Sequence, residues 1–160
     1  MPAVVPMPDV PSIQELLSGL LGKRVAVKDG KPFAPGGTSP SVVGVFKRDD
    51  GVVAALVVLD VPLAANASAS LVLIPPGTAA ESARSGKLSE SLLENVKEVL
   101  NVCSRLFATP GAPHVRMKST HTIPPAAPAE IAGLLSKPNG RLDLELSIPG
   151  YAGGRMAVII

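Results

Sequence analysis

A long amphipathic helix is predicted for residues Ser89–Phe107, whose sequence is SESLLENVKEVLNVCSRLF. Its apolar residues recur three and four positions apart, which is the spacing of one helix face. The residues that can face a core are Leu92, Val96, Val99, Cys103 and Leu106. Because the opposite face is polar, the stretch is expected to lie at the surface of the fold with one side packed inward.

The polar face of this predicted helix carries stacked carboxylates. Glu90, Glu94 and Glu98 follow one another at four-residue spacing, and Asn101 and Arg105 continue the same stripe. Like charges four residues apart destabilise an isolated helix by roughly 0.2–0.5 kcal/mol per pair. A stripe of this kind is most often a solvated helix face, but its unfavourable charge pattern is also compatible with a surface that docks a partner.

Strands are predicted on both sides of the helix. Towards the N-terminus, Ser41–Arg48 and Val52–Asp60 flank the turn Asp49-Asp50-Gly51, which is typical of a β-hairpin. The second strand is apolar throughout and is expected to be central and covered on both faces. Towards the C-terminus, apolar and polar residues alternate over Leu142–Ile148, and Arg155–Ile160 is the expected return strand. Strands in both halves with helices between them predict an α+β fold, a largely antiparallel β-sheet with long helices packed on it.

The remaining predicted elements are shorter. They are a Pro-rich extended arm over 1–11, a helix over Ser12–Leu21 with a Ser12/Glu15 capping box, a strand over Val25–Lys28, a Pro/Gly-rich loop over Lys31–Ser41, a helix over Pro62–Leu73, a strand over His114–Ile123 and a helix over Pro128–Ser136. We therefore expect an arm at 1–11 followed by a single domain over 12–160.

The composition excludes several classes of function. A net charge of +2, with no Trp, one Tyr and three Phe among 160 residues, gives little support to nucleic-acid binding. The single cysteine, Cys103, precludes an internal disulfide, and neither a membrane segment nor an export signal is evident, so a cytoplasmic protein is expected. His114, His121 and Cys103 do not form a metal-ligand pattern, and no metal site is predicted.

The polar stripe resembles the site motif of the CheC/CheX/FliY family of CheY-phosphate phosphatases from bacterial chemotaxis. That motif has Asp or Ser, three residues, Glu, two residues, Asn, then twenty-two residues and Pro. In this sequence two residues separate Glu98 from Asn101, and twenty-two more separate Asn101 from Pro124, whereas Glu94 stands at the Asp/Ser position. The order of helices and strands is similar over nearly the whole chain.

The resemblance implies an activity and roles for four residues. Glu98 would pair with the active-site lysine of a phosphorylated response-regulator receiver domain, and Asn101 would orient the attacking water. Glu94 and Pro124 would contribute to partner binding. The Mg²⁺ would be supplied by the receiver, so no cofactor of the chain's own is implied. The first helix offers Glu15 and Ser18 in place of a second Glu/Asn pair, and since the serine side chain is shorter, a single catalytic site is expected, as in the dimeric CheX proteins; a homodimer is therefore expected.

Two other functions remain open from the sequence. The substitution at Glu94 is compatible with a non-catalytic module that keeps the fold and docks a signalling partner through the stripe. A small-ligand sensor would instead need a closed apolar pocket under the loop Lys31–Ser41.

Overall fold

The computed structural model describes residues 5–36, 38–123 and 127–160. Within these ranges the elements in chain order are α1 Val10–Leu21, β1 Ala26–Asp29, β2 Ser41–Arg48, β3 Val53–Asp60, α2 Val61–Leu71, α3 Pro76–Ser85, α4 Glu90–Val102, a 3-10 helix Cys103–Phe107, β4 Val115–Ile123, α5 Ala129–Ser136, β5 Arg141–Ser147 and β6 Gly153–Ile159. The predicted strands and helices are present, and most of their ends differ by one or two residues. The exceptions are the helix predicted over Ser89–Phe107, which is α-helical only to Val102, and α3, which was not predicted.

The six strands form one sheet in the order β1-β5-β6-β3-β2-β4, and every neighbouring pair is antiparallel. The predicted α+β class is confirmed. Exchanging β1 with β4, β2 with β5 and β3 with β6 gives the same strand order, read from the opposite edge of the sheet. The two halves are therefore related by an approximate two-fold axis between β3 and β6, and α1 and α4, which precede β1 and β4, occupy equivalent positions.

Helices cover both faces of the sheet. On one face α1, α2 and α4 pack on a cluster that includes Val42, Phe46, Val57 and Val158. On the other face α5 and the loop around Phe33 cover a second cluster formed by alternate residues of the same strands, such as Val43, Val45, Leu56, Val58 and Ala157. β3 is an inner strand that is covered on both faces, as its continuous apolar run predicted.

A bulge interrupts the regular side-chain alternation of β4. Val45 is paired with Ser119, but the next residue of β2, Phe46, is paired with Met117, so Lys118 has no counterpart. Strict alternation would place Ser119 and Met117 on the same face of the sheet. The bulge places them on opposite faces, because one extra residue in a strand inverts the side-chain phase beyond it.

Polar groups at the start and in the middle of the buried helix α2 attach it to the last strand and to the residue before that strand. The carboxylate Oδ1 of Asp60 accepts hydrogen bonds from the N–H groups of Leu63 and Arg155, both at 3.0 Å. A Cβ on Gly154 would lie 2.4 Å from that same Oδ1, so the close approach of β6 to the helix start requires glycine. One turn further on, Asn66 Oδ1 accepts the N–H of Ala152 at 3.2 Å.

The N-terminal segment differs from the prediction. The first helix begins at Val10 rather than Ser12, and the carboxylate of Asp9 caps it by accepting the Ser12 N–H at 2.9 Å. Ser12 is therefore inside the helix and is not its N-cap. The arm predicted over 1–11 is shorter as a result, and among its described residues Val5 is buried against the core.

Candidate functional site

The site helix α4 is fixed at its start and along its inner face. Ser89 is the N-cap, and its Oγ accepts the N–H of Leu92 at 3.2 Å. The inner face consists of the buried residues Leu92, Val96, Val99 and Leu100. Gly44 of β2 permits the close packing of this helix, since a Cβ at that position would lie 3.3 Å from the Leu100 side chain. The polar face is consequently held outward on a well-packed helix.

Three residues of the motif are exposed together on that outer face. Glu94, Glu98 and Asn101 are spaced by four and three residues and all lie at the surface. Glu94 forms an ion pair with Lys97, with 3.3 Å between Oε1 and Nζ. Within the described ranges, neither the Glu98 carboxylate nor the Asn101 carboxamide has a hydrogen-bond or ion-pair partner. These two side chains are therefore available to bind another molecule.

A groove of about 730 Å³ separates the C-terminal end of α4 from α1. Its α1 wall includes Glu15, Leu16 and Leu20, and its other wall includes Glu98, Val102, Arg105 and Leu106. Its lining combines half-buried apolar side chains with exposed charged side chains of both signs. Glu98 therefore stands at the boundary between an open helix face and a groove.

The fourth motif residue, Pro124, lies outside the described residues. The residue before it, Ile123, ends β4 and lines a groove of about 490 Å³ together with Leu93 of α4. Ile123 therefore lies beside the N-terminal half of the helix that carries Glu94.

The long helix predicted over Ser89–Phe107 changes its geometry before it ends. The α-helix stops at Val102, and Cys103–Phe107 forms a 3-10 helix. In a 3-10 turn residues three apart lie one above the other, so Arg105 is rotated from the line of Asn101 towards that of Val102. Arg105 consequently lines the groove against α1, a position that extrapolation of an ideal α-helix from the sequence did not predict.

The equivalent position on α1 is used differently. Ser18 Oγ accepts the N–H of Val25 at 3.0 Å, and Gln14 Nε2 donates to the carbonyl of the same residue at 3.0 Å. These hydrogen bonds fix the connection from α1 to β1. The Ser18 hydroxyl is therefore part of the scaffold, while Glu15 is exposed on the groove.

Other chemistry finds little support in the described part of the chain. No group of three or more His, Cys, Asp or Glu residues there could hold a metal ion. Burial raises the pKa of the Cys103 thiol to about 12, which disfavours the thiolate that nucleophilic chemistry needs. An apolar cavity beside Cys103 and Leu17 has a volume of about 10 Å³, close to the lower limit for one water molecule and far too small for a ligand. Across the residues described, no helix combines the length and apolar character needed to cross a bilayer.

Comparison with known proteins identifies the fold. No family model matches the sequence, and no curated protein matches it. Among solved structures, Thermotoga maritima FliY is similar with a TM-score of 0.61 and 15% identity, covering 93% of this chain and 82% of that one. The CheX–CheY–BeF3–Mg²⁺ complex from Borrelia burgdorferi is similar with a TM-score of 0.54 and 16% identity, covering 91% and 90%. The chain has the CheX/FliY fold.

The CheX/FliY fold is also that of a FliM domain. The FliM middle domain from H. pylori is similar with a TM-score of 0.57 and 10% identity, covering 93% of this chain and 83% of that one. At such identities the likeness establishes the fold alone. The function must therefore be argued from the residues of α4.

Proposed function

We propose that the protein is a phosphatase that hydrolyses the aspartyl phosphate of a response-regulator receiver domain. The observation that carries the proposal is the pair Glu98 and Asn101, exposed side by side on α4 of a CheX/FliY fold without a partner in the described chain. The activity and the two roles come from the resemblance of the motif to the CheC/CheX/FliY family.

The two residues act on different parts of the receiver. The Glu98 carboxylate binds the ammonium group of a receiver lysine, which fixes the position of α4 over the phosphorylation site. The Asn101 carboxamide then orients a water molecule in line with the phosphorus. Attack by this water breaks the bond between phosphorus and the aspartyl oxygen, releasing inorganic phosphate and restoring the aspartate. A Mg²⁺ ion held by the receiver would supply positive charge to the phosphoryl oxygens, as the resemblance implies.

This mechanism does not require any group of this chain to gain or lose a proton. Phosphoryl transfer depends almost entirely on positioning and electrostatics, and a well-placed side chain that orients water is sufficient for a large rate effect. An amide can both donate and accept a hydrogen bond, so Asn101 can bind the water and a phosphoryl oxygen at once. Its exposed position at the end of the α-helical part of α4 allows it to enter a partner's site.

The decisive experiment follows the loss of label from phosphorylated receiver domains of the source organism. The wild-type chain should accelerate dephosphorylation of at least one receiver, and Asn101→Ala should lower that rate by about 100-fold or more. Asn95→Ala is the matched control, because it removes the same side chain from the same helix outside the motif. Equal rates for wild type and Asn101→Ala on every receiver would refute the catalytic proposal.

A second candidate is a non-catalytic interaction module. It is favoured by Glu94, which departs from the family's Asp or Ser and is already ion-paired with Lys97. The CheX/FliY fold is shared with the FliM middle domain, and a FliG–FliM complex from H. pylori is also among the similar structures. Partner binding that survives Asn101→Ala without any hydrolysis would favour this candidate.

The expected homodimer stays a prediction. Light scattering coupled to size-exclusion chromatography would check it by giving the mass of the particle in solution. A single mass near 16.3 kDa across a range of concentrations would contradict it.

A further inference from the structure

Arg105 is a cation at the site that has no role in the motif. It is exposed, and within the described ranges its guanidinium has no hydrogen-bond or ion-pair partner. It lines the groove between α1 and α4, which Glu98 also lines. It lines a second hollow of about 300 Å³ together with His114 as well. The guanidinium therefore stands on the ridge between two depressions.

Most other arginines in the described chain are bound to carboxylates of the chain itself. Arg84 pairs with Glu81, Arg141 with Asp143 at 2.9 Å, and Arg155 with Asp60 at 3.5 Å. No carboxylate of the described chain neutralises Arg105 in this way. A planar guanidinium left open is suited to bidentate binding of a carboxylate from outside.

The charges along the outer face are ordered. The carboxylates of Glu90, Glu94 and Glu98 come first, Asn101 is neutral, and Arg105 provides positive charge at the end. The 3-10 turn that rotates Arg105 towards Val102 places this charge in the lining of the groove, which Val102 and Leu106 also line. A partner that matches the whole face must present basic groups opposite the carboxylates and an acidic group opposite Arg105.

We infer that Arg105 is a docking residue that binds a surface carboxylate of the receiver and thereby fixes the direction in which the receiver lies along α4. The inference rests on the proposed function, whose partner it specifies further. With Glu98 alone, a partner lysine defines one point of contact. A second contact of opposite sign, two helical turns away, selects one of the two orientations along the helix, because the reverse orientation brings like charges together.

The test measures binding of the full chain to receiver domains activated with beryllofluoride and Mg²⁺. Arg105→Glu should weaken binding by about tenfold or more, with a raised KM and little change in kcat for dephosphorylation. Arg116→Glu is the matched control: Arg116 is exposed on β4 opposite Lys47, which contacts Glu130 of α5, and so lies on the other face of the sheet from α4. This control should change binding by less than about twofold.

A rescue experiment identifies the carboxylate. The exposed acidic residues of the receiver are changed to lysine one at a time, and one of these changes should restore most of the affinity lost in Arg105→Glu. A cation near the end of α4 also interacts with the helix dipole, and the unfolding free energy of Arg105→Glu is measured in parallel. A purely structural role would alter stability but would not be rescued by a change in the receiver.

The outcomes separate this inference from the proposed function. If Arg105→Glu behaves like Arg116→Glu while Asn101→Ala still abolishes hydrolysis, the inference is overturned and the phosphatase stands. If binding depends on Arg105 but hydrolysis is unaffected by Asn101→Ala, the catalytic proposal fails and the docking role stands. A wild-type chain that binds none of the activated receivers overturns both. If no change in the receiver rescues Arg105→Glu, the docking inference is overturned and the phosphatase proposal stands.

Discussion

Helices α1 and α4 occupy equivalent places on opposite halves of the same sheet, yet they use their outer polar residues differently. On α1, Ser18 accepts the N–H of Val25 and joins the helix to the strand that follows. On α4, Asn101 stands free at the surface of the described chain. The comparison shows that equivalence in the fold does not carry equivalence in chemistry. What distinguishes the two helices is whether the scaffold has already used the polar side chain.

The largest expected effect comes from making α4 resemble α1. Asn101→Ser replaces the carboxamide with a shorter hydroxyl, which cannot reach the phosphoryl group and its water together. We expect dephosphorylation of the cognate receiver to fall by about 100-fold or more, equivalent to about 2.7 kcal/mol of transition-state stabilisation. Single-turnover loss of phosphate from the receiver measures this rate.

The reciprocal substitution on α1 is the control. Ser18→Asn gives α1 a Glu/Asn pair in sequence, but its side chain lies where Ser18 contacts Val25, so no second catalytic site is expected. A doubling of activity in Ser18→Asn would show that the two helices are functionally interchangeable and would contradict the comparison.

A smaller effect should appear in stability, where a substitution on α1 should have a larger effect than one on α4. Ser18→Ala removes the acceptor for the partly buried Val25 N–H and should lower the free energy of unfolding by about 1 kcal/mol, without loss of phosphatase activity. Urea denaturation followed by circular dichroism gives this difference. Ser91→Ala, at an exposed position of α4, should change stability by less than about 0.5 kcal/mol. Equal effects of these two substitutions would mean that Ser18 has no scaffold role.

The smallest expected effect concerns the caps of the two helices and depends on pH. Hydrogen bonds from the Ser12 side chain and backbone lower the pKa of the Asp9 carboxyl that caps α1, whereas α4 is capped by the neutral Ser89. The folded pKa of Asp9 is thus below its unfolded value, so its contribution is present above that value and is lost as the pH falls through the folded pKa.

This pH dependence can be measured with Asp9→Asn, which keeps a capping side chain and removes the charge. The variant should be less stable than the wild type near neutral pH. The difference should begin to shrink near pH 3.8, the ordinary pKa of the group, and should disappear as the pH falls through the lower pKa of the folded state. Ser89→Ala should instead lower stability by about 1 kcal/mol at every pH. A difference between wild type and Asp9→Asn that is independent of pH would contradict the assignment of the cap.

Periodicity and turn residues were sufficient to predict most elements of the fold, although α3 was missed. The turn at Asp49–Gly51, the continuous apolar run of β3 and the amphipathic stretch at 89–107 each have a local physical cause, and each is found where it was expected. The exposed positions of Glu98 and Asn101 also follow from helical spacing. Their catalytic roles came only from the resemblance and stay predictions.

The exact ends of helices and the features that depend on distant contacts were not predictable in this way. Ser12 was a plausible N-cap by its spacing to Glu15, but Asp9 occupies that position because the helix starts earlier. The bulge at Lys118 depends on pairing with β2, and the rotation of Arg105 depends on a 3-10 turn whose residues carry no distinctive pattern. The burial of Asn66 in α2 requires a partner, Ala152, that lies 86 residues further along the chain.

The attachment of α2 to the last strand has a consequence for the order of folding. Asp60 and Asn66 are synthesised early, but their partners in Arg155 and Ala152 come 95 and 86 residues later, close to the C-terminus. During translation these two side chains therefore cannot form their long-range hydrogen bonds until nearly the whole chain has left the ribosome. Since contacts of such long sequence separation slow folding, docking of β6 is expected to be a late step, and it completes the core beneath α1 and α4 together.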